Sequence, residues 1–244
     1  MAAMSLDPAN LLTACMAPLL VAQGGYVRWR VPQLPEAAGP REGRAGVGAP
    51  LSLLILGDSS AAGVGAREQS EALAGQLVGA LSTWRDVSWK LWATTGHTTR
   101  DALARLAAAP SLSFDVAVVA LGVNDVIRGR RLAAWRQEQH QLDALLRTKF
   151  QVRHVVHSGL PPVSRFPALP QPLRWALGAR ARRFDRALRA DVGQRSSASF
   201  VTLDFTASLD ASAMATDGFH PGPPAYAAWA ERIAAAMVRD VERA

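Results

Sequence analysis

Four short blocks of the 244-residue chain carry the residue types of acyl-transfer chemistry. Gly57-Asp58-Ser59-Ser60 ends an apolar run, and Thr94-Thr95-Gly96-His97-Thr98 and Gly122-Val123-Asn124-Asp125 end two more. "TDGFHPG" places Asp217 three residues before His220. A serine hydroxyl is a weak nucleophile until a histidine accepts its proton. That histidine works best when a carboxylate fixes its tautomer and stabilises the imidazolium. The attacked carbonyl becomes an oxyanion, which needs preorganised N–H donors. Ser59 as nucleophile, His220 as base and Asp217 as orienter meet the first two needs. The backbone N–H groups of Ser59 and Gly96 and the Asn124 amide meet the third, and glycine at 96 lets an N–H approach substrate with no Cβ in the way. Small residues after Ser59 predict a sharp turn into a helix, with the hydroxyl at the helix's positive end. Asp58 reads as a carboxylate that hydrogen-bonds the turn, and Asp125 as structural.

Each residue also has a plainer reading. Ser59 fits a helix N-cap, and Asp217, His220 and Asn124 fit ordinary turns. His154 and His157 lie in a β-type run and read as structural; His140, among Gln and Glu, reads as solvated. What favours chemistry is that the four blocks stand at strand ends or before the last helix.

The elements that would position them follow from periodicity. Apolar β-type runs at Leu51–Leu56, Val87–Trp92, Asp115–Leu121, Val152–Ser158 and Phe200–Asp204 alternate with helical patterns. Those patterns cover Glu68–Ser82, Thr99–Ala108, Ala133–Phe150, Leu173–Val192 and Pro224–Val241. Continuous apolar strands such as "DVAVVAL" have both faces covered, which predicts a parallel sheet in a βαβ series. The fold class is thus α/β: a three-layer domain with a five-stranded parallel sheet, and ligands at the carboxyl ends of the strands.

In order, "GDSSAAG", the glycine of "TTGHTT", "LGVNDVIRG" and "DGFHP" resemble the four blocks of the SGNH hydrolase (GDSL-type esterase/lipase) superfamily, most closely its compact thioesterase/lysophospholipase group. The resemblance implies a flavodoxin-like sheet, a Ser59-Asp217-His220 triad and an oxyanion hole from Ser59, Gly96 and Asn124. It also implies hydrolysis of a small-molecule ester or thioester through an acyl-enzyme, with no metal and no cofactor. The serine block lacks the family's leucine, a variable position. His97 stands where relatives often carry a polar or acidic residue and, with Val123, is expected to line the pocket. The same triad fits a carbohydrate O-deacetylase or an acyltransferase, and a catalytically dead copy would be a binding module for anionic partners.

The rest of the chain bounds partners and place. The formal charge is +7, with Lys90 and Lys149 the only lysines. That balance attracts anions, but the few aromatics form no stacking pattern, so no nucleic-acid partner is expected. The helix from Arg174 to Arg189, with Trp175, Leu177, Phe184 and Leu188 among its arginines, reads as an amphipathic surface helix whose sharper role is a basic rim for phospholipid head groups. The single cysteine, Cys15, excludes a disulfide framework and a cysteine-rich metal site. "LTAC" has the look of a lipoprotein box, yet the stretch before it is short and polar, and no export signal precedes it. A cytoplasmic place is therefore expected. The apolar run of residues 11–22, too short to span a bilayer, predicts either a docked helix or peripheral membrane contact. Residues 1–50 thus form an apolar segment and a Pro/Gly/Arg-rich arm (Pro32 to Pro50), and residues 51–244 the hydrolase domain. Substrate choice is expected to lie in the arm and in the stretch from Gly159 to Val192, which the motifs do not cover.

Overall fold

The computed structural model describes residues 16–203 and 213–241. Its sheet is built from β1 (Glu42–Ala45), β2 (Ala49–Gly57), β3 (Arg85–Ala93), β4 (Val116–Ala120), β5 (His154–Ser158) and β6 (Ala198–Val201). The spatial order is β1-β3-β2-β4-β5-β6. All neighbours pair in parallel except β1, which runs antiparallel to β3 with Glu42 opposite Lys90. The five parallel strands are those expected; the sixth is an addition. It comes from the Pro/Gly/Arg-rich arm, which has no apolar alternation because its strand is an exposed edge, and ion pairs Glu42–Lys90 and Arg44–Asp86 tie it to β3. The last strand begins two residues earlier than Phe200 and ends at Val201; Asp204 lies outside the described residues.

The helices are α1 (Ala17–Arg30), α2 (Leu73–Leu81), α3 (Thr99–Ala108), α4 (Val123–Ile127), α5 (Leu132–Phe150), α6 (Leu173–Val192) and α7 (Pro223–Val241). Successive side chains of β2 point to opposite faces. Leu53 and Ile55 join Leu77 of α2 and Ile233 of α7 in one apolar cluster, and Leu54 and Leu56 join Leu106 of α3 and Leu146 of α5 in another. This two-sided burial is why β2 reads as one unbroken apolar run. A third cluster lies under α6, where Phe184 packs on Trp135 of α5 with ring centroids 4.7 Å apart.

Two expectations change. The helix foreseen over Glu68–Ser82 is a 3-10 turn at Gln69–Glu71 followed by α2. The helix that carries the apolar N-terminal run continues past Ala22 through the more polar Gln23–Arg30; Leu11–Cys15 lie outside the described residues. Gln23 fastens α1 to the loop before α6: its amide nitrogen donates to the Gln171 carbonyl at 2.7 Å and its oxygen accepts from the Leu173 amide at 3.0 Å. Among the described residues no helix is long and apolar enough to cross a membrane.

Candidate active site

The chain changes direction in the sheet order at β2, with β3 on one side and β4 on the other, and the crevice at such a switch point is where ligands bind. Gly57 closes β2 there, and Ser59 stands two residues on. No helix starts at Ser59, contrary to the sequence expectation. Instead, turns run from residue 59 to 65, with the Ala62 N–H on the Asp58 carbonyl at 2.9 Å and the Val64 N–H on the Ser59 carbonyl at 3.0 Å. Gly63 and Gly65, at φ +84° and +102°, keep the chain out of helical geometry. Gly65 serves a second purpose. A Cβ there would sit 2.3 Å from the Pro221 carbonyl oxygen, so only glycine lets the serine turn lie against the segment that carries His220.

That segment is a tight loop. The Met214–Pro221 bridge and the Ala215 N–H on the His220 carbonyl (2.9 Å) close it just before α7. His220 Nε2 lies 2.9 Å from Ser59 Oγ, and its Nδ1 lies 2.6 Å from Asp217 Oδ2. The other Asp217 oxygen accepts the Phe219 and His220 backbone N–H groups, each at 2.9 Å. Burial pushes the Asp217 carboxyl upward, but hydrogen bonds from the His220 ring and from the two amides outweigh it and hold the group below the usual carboxylate range. The carboxylate therefore stays ionised and aims one oxygen at Nδ1.

The three groups expected to receive an oxyanion follow the ends of β2, β3 and β4. Among the described residues, no acceptor takes the Ser59 or the Gly96 backbone N–H. Gly96 sits at φ +81°. Asn124, on the short helix α4, donates from Nδ2 to Asp58 Oδ2 at 3.2 Å and to the His97 carbonyl at 3.1 Å. Both bonds lie at the long end of the ordinary range. Asp58 thus does more than brace the turn through the Ser60 N–H (3.0 Å); it also orients Asn124. Burial pushes the Asp58 carboxyl up to about 6, against the opposing Ser60 hydrogen bond. Asp125 turns away from the crevice. It accepts the Thr99 N–H and hydroxyl at 3.0 and 2.9 Å and pins α4 to the start of α3, which is the structural part expected of it.

An apolar pocket opens beside Ser59 and Asn124. Leu160, Phe166, Leu203, Met214, Phe219 and Trp229 supply its walls, with Val123 also in the lining. His97 does not line it; what it offers the site is its backbone carbonyl. His154 and His157 are buried in β5, one 2.6 Å from Ser199 Oγ and the other 3.0 Å from Asp143 Oδ1, and neither lines the pocket. His140 is half-exposed beside Arg195.

A profile of the GDSL-like lipase/acylhydrolase family matches residues 55–228, most of the chain. The chain belongs to this family. It is an ester hydrolase, and it has the family's α/β architecture. Solved structures with the same fold include a lipolytic G-D-S-L family protein from Veillonella parvula (14% identity, 79% of this chain and 99% of that one, TM-score 0.60). They also include TesA (23% identity, 76% and 97%, TM-score 0.57) and an acetylxylan esterase from Geobacillus stearothermophilus (18% identity, 80% and 95%, TM-score 0.54). No curated protein sequence matches this chain closely enough to add a nearer relative.

Several residues that shape this GDSL-type site carry no signal in the sequence. Leu160, Phe166 and Trp229 look like any core residue until the loops fold over the crevice. Asp185 is another. From α6, its Oδ1 accepts the Leu160 N–H at 2.8 Å and so fixes the pocket wall after β5. Its position in an arginine-rich helix hides that role.

Proposed function

We propose that Ser59 is the nucleophile of the ester hydrolase, with His220 as its base and Asp217 as the orienter of His220. The observation that carries this reading is the unbroken hydrogen-bonded series Asp217–His220–Ser59 at the mouth of an apolar pocket. Asp217 keeps the imidazole proton on Nδ1, so Nε2 can accept the hydroxyl proton as Oγ attacks the carbonyl carbon. The Ser59 and Gly96 N–H groups and Asn124 Nδ2 receive the negative oxygen of the tetrahedral intermediate. The imidazolium then gives its proton to the leaving oxygen or sulfur, and the acyl group stays on Oγ. Water, deprotonated by the same histidine, attacks the acyl-enzyme and restores the serine.

The pocket walls favour an acyl chain longer than acetyl, because an acetyl methyl would leave most of that apolar surface unfilled. A series of p-nitrophenyl esters from acetyl to palmitoyl measures this. We expect kcat/KM to peak at butyryl or longer. A maximum at acetyl would reject the acyl-pocket reading and favour a carbohydrate O-deacetylase. Acyl transfer to an added alcohol that outruns hydrolysis would favour an acyltransferase.

The substrate reaches that pocket from a membrane surface in the second part of this proposal. α1 turns Leu20, Gln23 and Val27 inward and leaves Leu19, Val21, Tyr26 and Trp29 outward, with Val21 75% and Trp29 81% exposed. Arg28 and Arg30 stand exposed beside them. An aromatic and aliphatic face flanked by arginines suits an anionic lipid interface. The helix is seated on the segment before α6, downstream of the pocket residue Phe166. In co-sedimentation with phosphatidylglycerol vesicles, we expect binding that weakens with salt and falls about tenfold in Trp29→Ala, as the loss of one interfacial aromatic anchor implies. Equal recovery with and without vesicles at low salt would remove the membrane from this reading.

A further inference from the structure

We infer that arm residues Glu36–Arg41 form a strap that sets the Gly96 loop against the Ser59 turn, with Glu36 as a positioning residue for the oxyanion site. The inference rests on the proposed Ser59 acyl-enzyme mechanism, in which the Ser59 and Gly96 amides receive the oxyanion. The arm lies outside residues 55–228, the part of the chain that carries the family pattern.

The strap grips both loops. On one side Glu36 Oε1 accepts the Thr95 backbone N–H at 2.8 Å and the Thr95 hydroxyl at 2.7 Å. Arg41 steadies that carboxylate, with Nη1 2.7 Å from Glu36 Oε2, and its other nitrogen reaches the Ala93 carbonyl at the end of β3. On the other side the Ala37 N–H meets the Ala62 carbonyl at 3.3 Å, and the Ala38 N–H meets the Arg67 carbonyl at 3.0 Å. The buried Gln69 side chain donates to the Ala37 and Ala62 carbonyls together, at 3.2 and 3.0 Å. Ala37 is itself part of the apolar core. The segment beside Glu36 is therefore fixed to the turn that holds Ser59.

Thr95 needs such a grip. Its side chain is exposed, so packing does not hold it. The Gly96 N–H lies in the peptide plane that begins at the Thr95 carbonyl carbon, and any rotation of Thr95 swings that donor. Glu36 fixes Thr95 at its amide and its hydroxyl. Arg128 holds the next link, with Nη2 2.7 Å from the Gly96 carbonyl. Beyond it, Thr98 and Asp101 close the loop as the N-terminal cap of α3. Burial pushes the Glu36 carboxyl upward, but bonds from Thr95 and Arg41 prevail and keep it below the ordinary range, so the acceptor stays charged.

Steady-state kinetics of the full chain on p-nitrophenyl butyrate test the strap with Glu36→Ala, Glu36→Gln and Arg44→Ala. The last removes another arm ion pair, with Asp86, that does not touch the Gly96 loop. Removing an oxyanion donor outright costs about a hundredfold or more in kcat, so loosening one in Glu36→Ala should cost about tenfold. KM should stay within about twofold, because the ground-state carbonyl gains little from that donor. Glutamine keeps an acceptor oxygen for Thr95 and should recover part of the rate, while Arg44→Ala stays near wild type. The strap is wrong if Glu36→Ala keeps kcat within twofold of wild type, or if Arg44→Ala loses as much. A Glu36→Ala loss that comes with a lowered melting temperature and is not relieved by glutamine also overturns it. The reading beneath it fails separately, through turnover that survives Ser59→Ala.

Discussion

Ser59→Ala should fold as the wild type does and hydrolyse p-nitrophenyl esters about five to six orders of magnitude more slowly, the loss seen when a triad nucleophile is removed. In the proposed mechanism the hydroxyl oxygen is the atom that becomes acylated, and among the described residues no other group is hydrogen-bonded to His220 Nε2 to replace it. The residual rate would come from the oxyanion donors and substrate binding alone. Stability should change by no more than about 1 kcal/mol, since one partly exposed hydrogen bond is lost and no large volume is vacated. The comparison needs kcat on the preferred ester and a thermal melt of both proteins. A variant within a hundredfold of wild type would show that Ser59 is not the nucleophile.

Asp217→Asn should lower kcat by about four orders of magnitude with the fold intact. Asparagine is nearly isosteric, and its carbonyl oxygen can still accept the Phe219 and His220 amides. Its NH2 group, however, would face His220 Nδ1 where a carboxylate oxygen now stands at 2.6 Å. An N–H cannot accept from another N–H, so the imidazole would carry its proton on Nε2 and point it at Ser59. The base would then be unable to take the serine proton, and the imidazolium would lose its counter-charge. Measuring kcat across neutral pH decides the matter. A loss of less than about tenfold would assign Asp217 to the loop alone, as the acceptor of two backbone amides.

The site and the frame around it were legible in the sequence to different depths. Five strands could be placed within a few residues: β2, β4 and β5 because burial on both faces makes their apolar character continuous, and β3 and β6 because buried residues alternate with more exposed ones along them. Ser59, Gly96, Asn124, Asp217 and His220 could be singled out because a strand end or a loop before a helix is where polar types are otherwise unexplained. The helix expected after Ser59 was misjudged for a local reason. Gly63 and Gly65 adopt positive φ because of what lies against them in space, and nothing in their own neighbourhood of sequence announces it.

By itself, the sequence determined the α/β class, the order of the strands along the chain and the five residues proposed to bear the chemistry. These depend on short-range information: periodicity, turn-formers, and polar groups at the ends of apolar runs. Only the tertiary structure decided that His220 comes within 2.9 Å of a serine 161 positions away, that Asp58 orients Asn124, and that Leu160, Phe166 and Trp229 wall one pocket. It alone decided that a Pro/Gly/Arg-rich arm becomes an edge strand and braces the Gly96 loop through Glu36. An edge strand needs only backbone hydrogen bonds, and a polar brace needs only one carboxylate at the right distance. Neither leaves a periodic trace, because their partners lie some fifty residues away and are brought near by the packing of everything between.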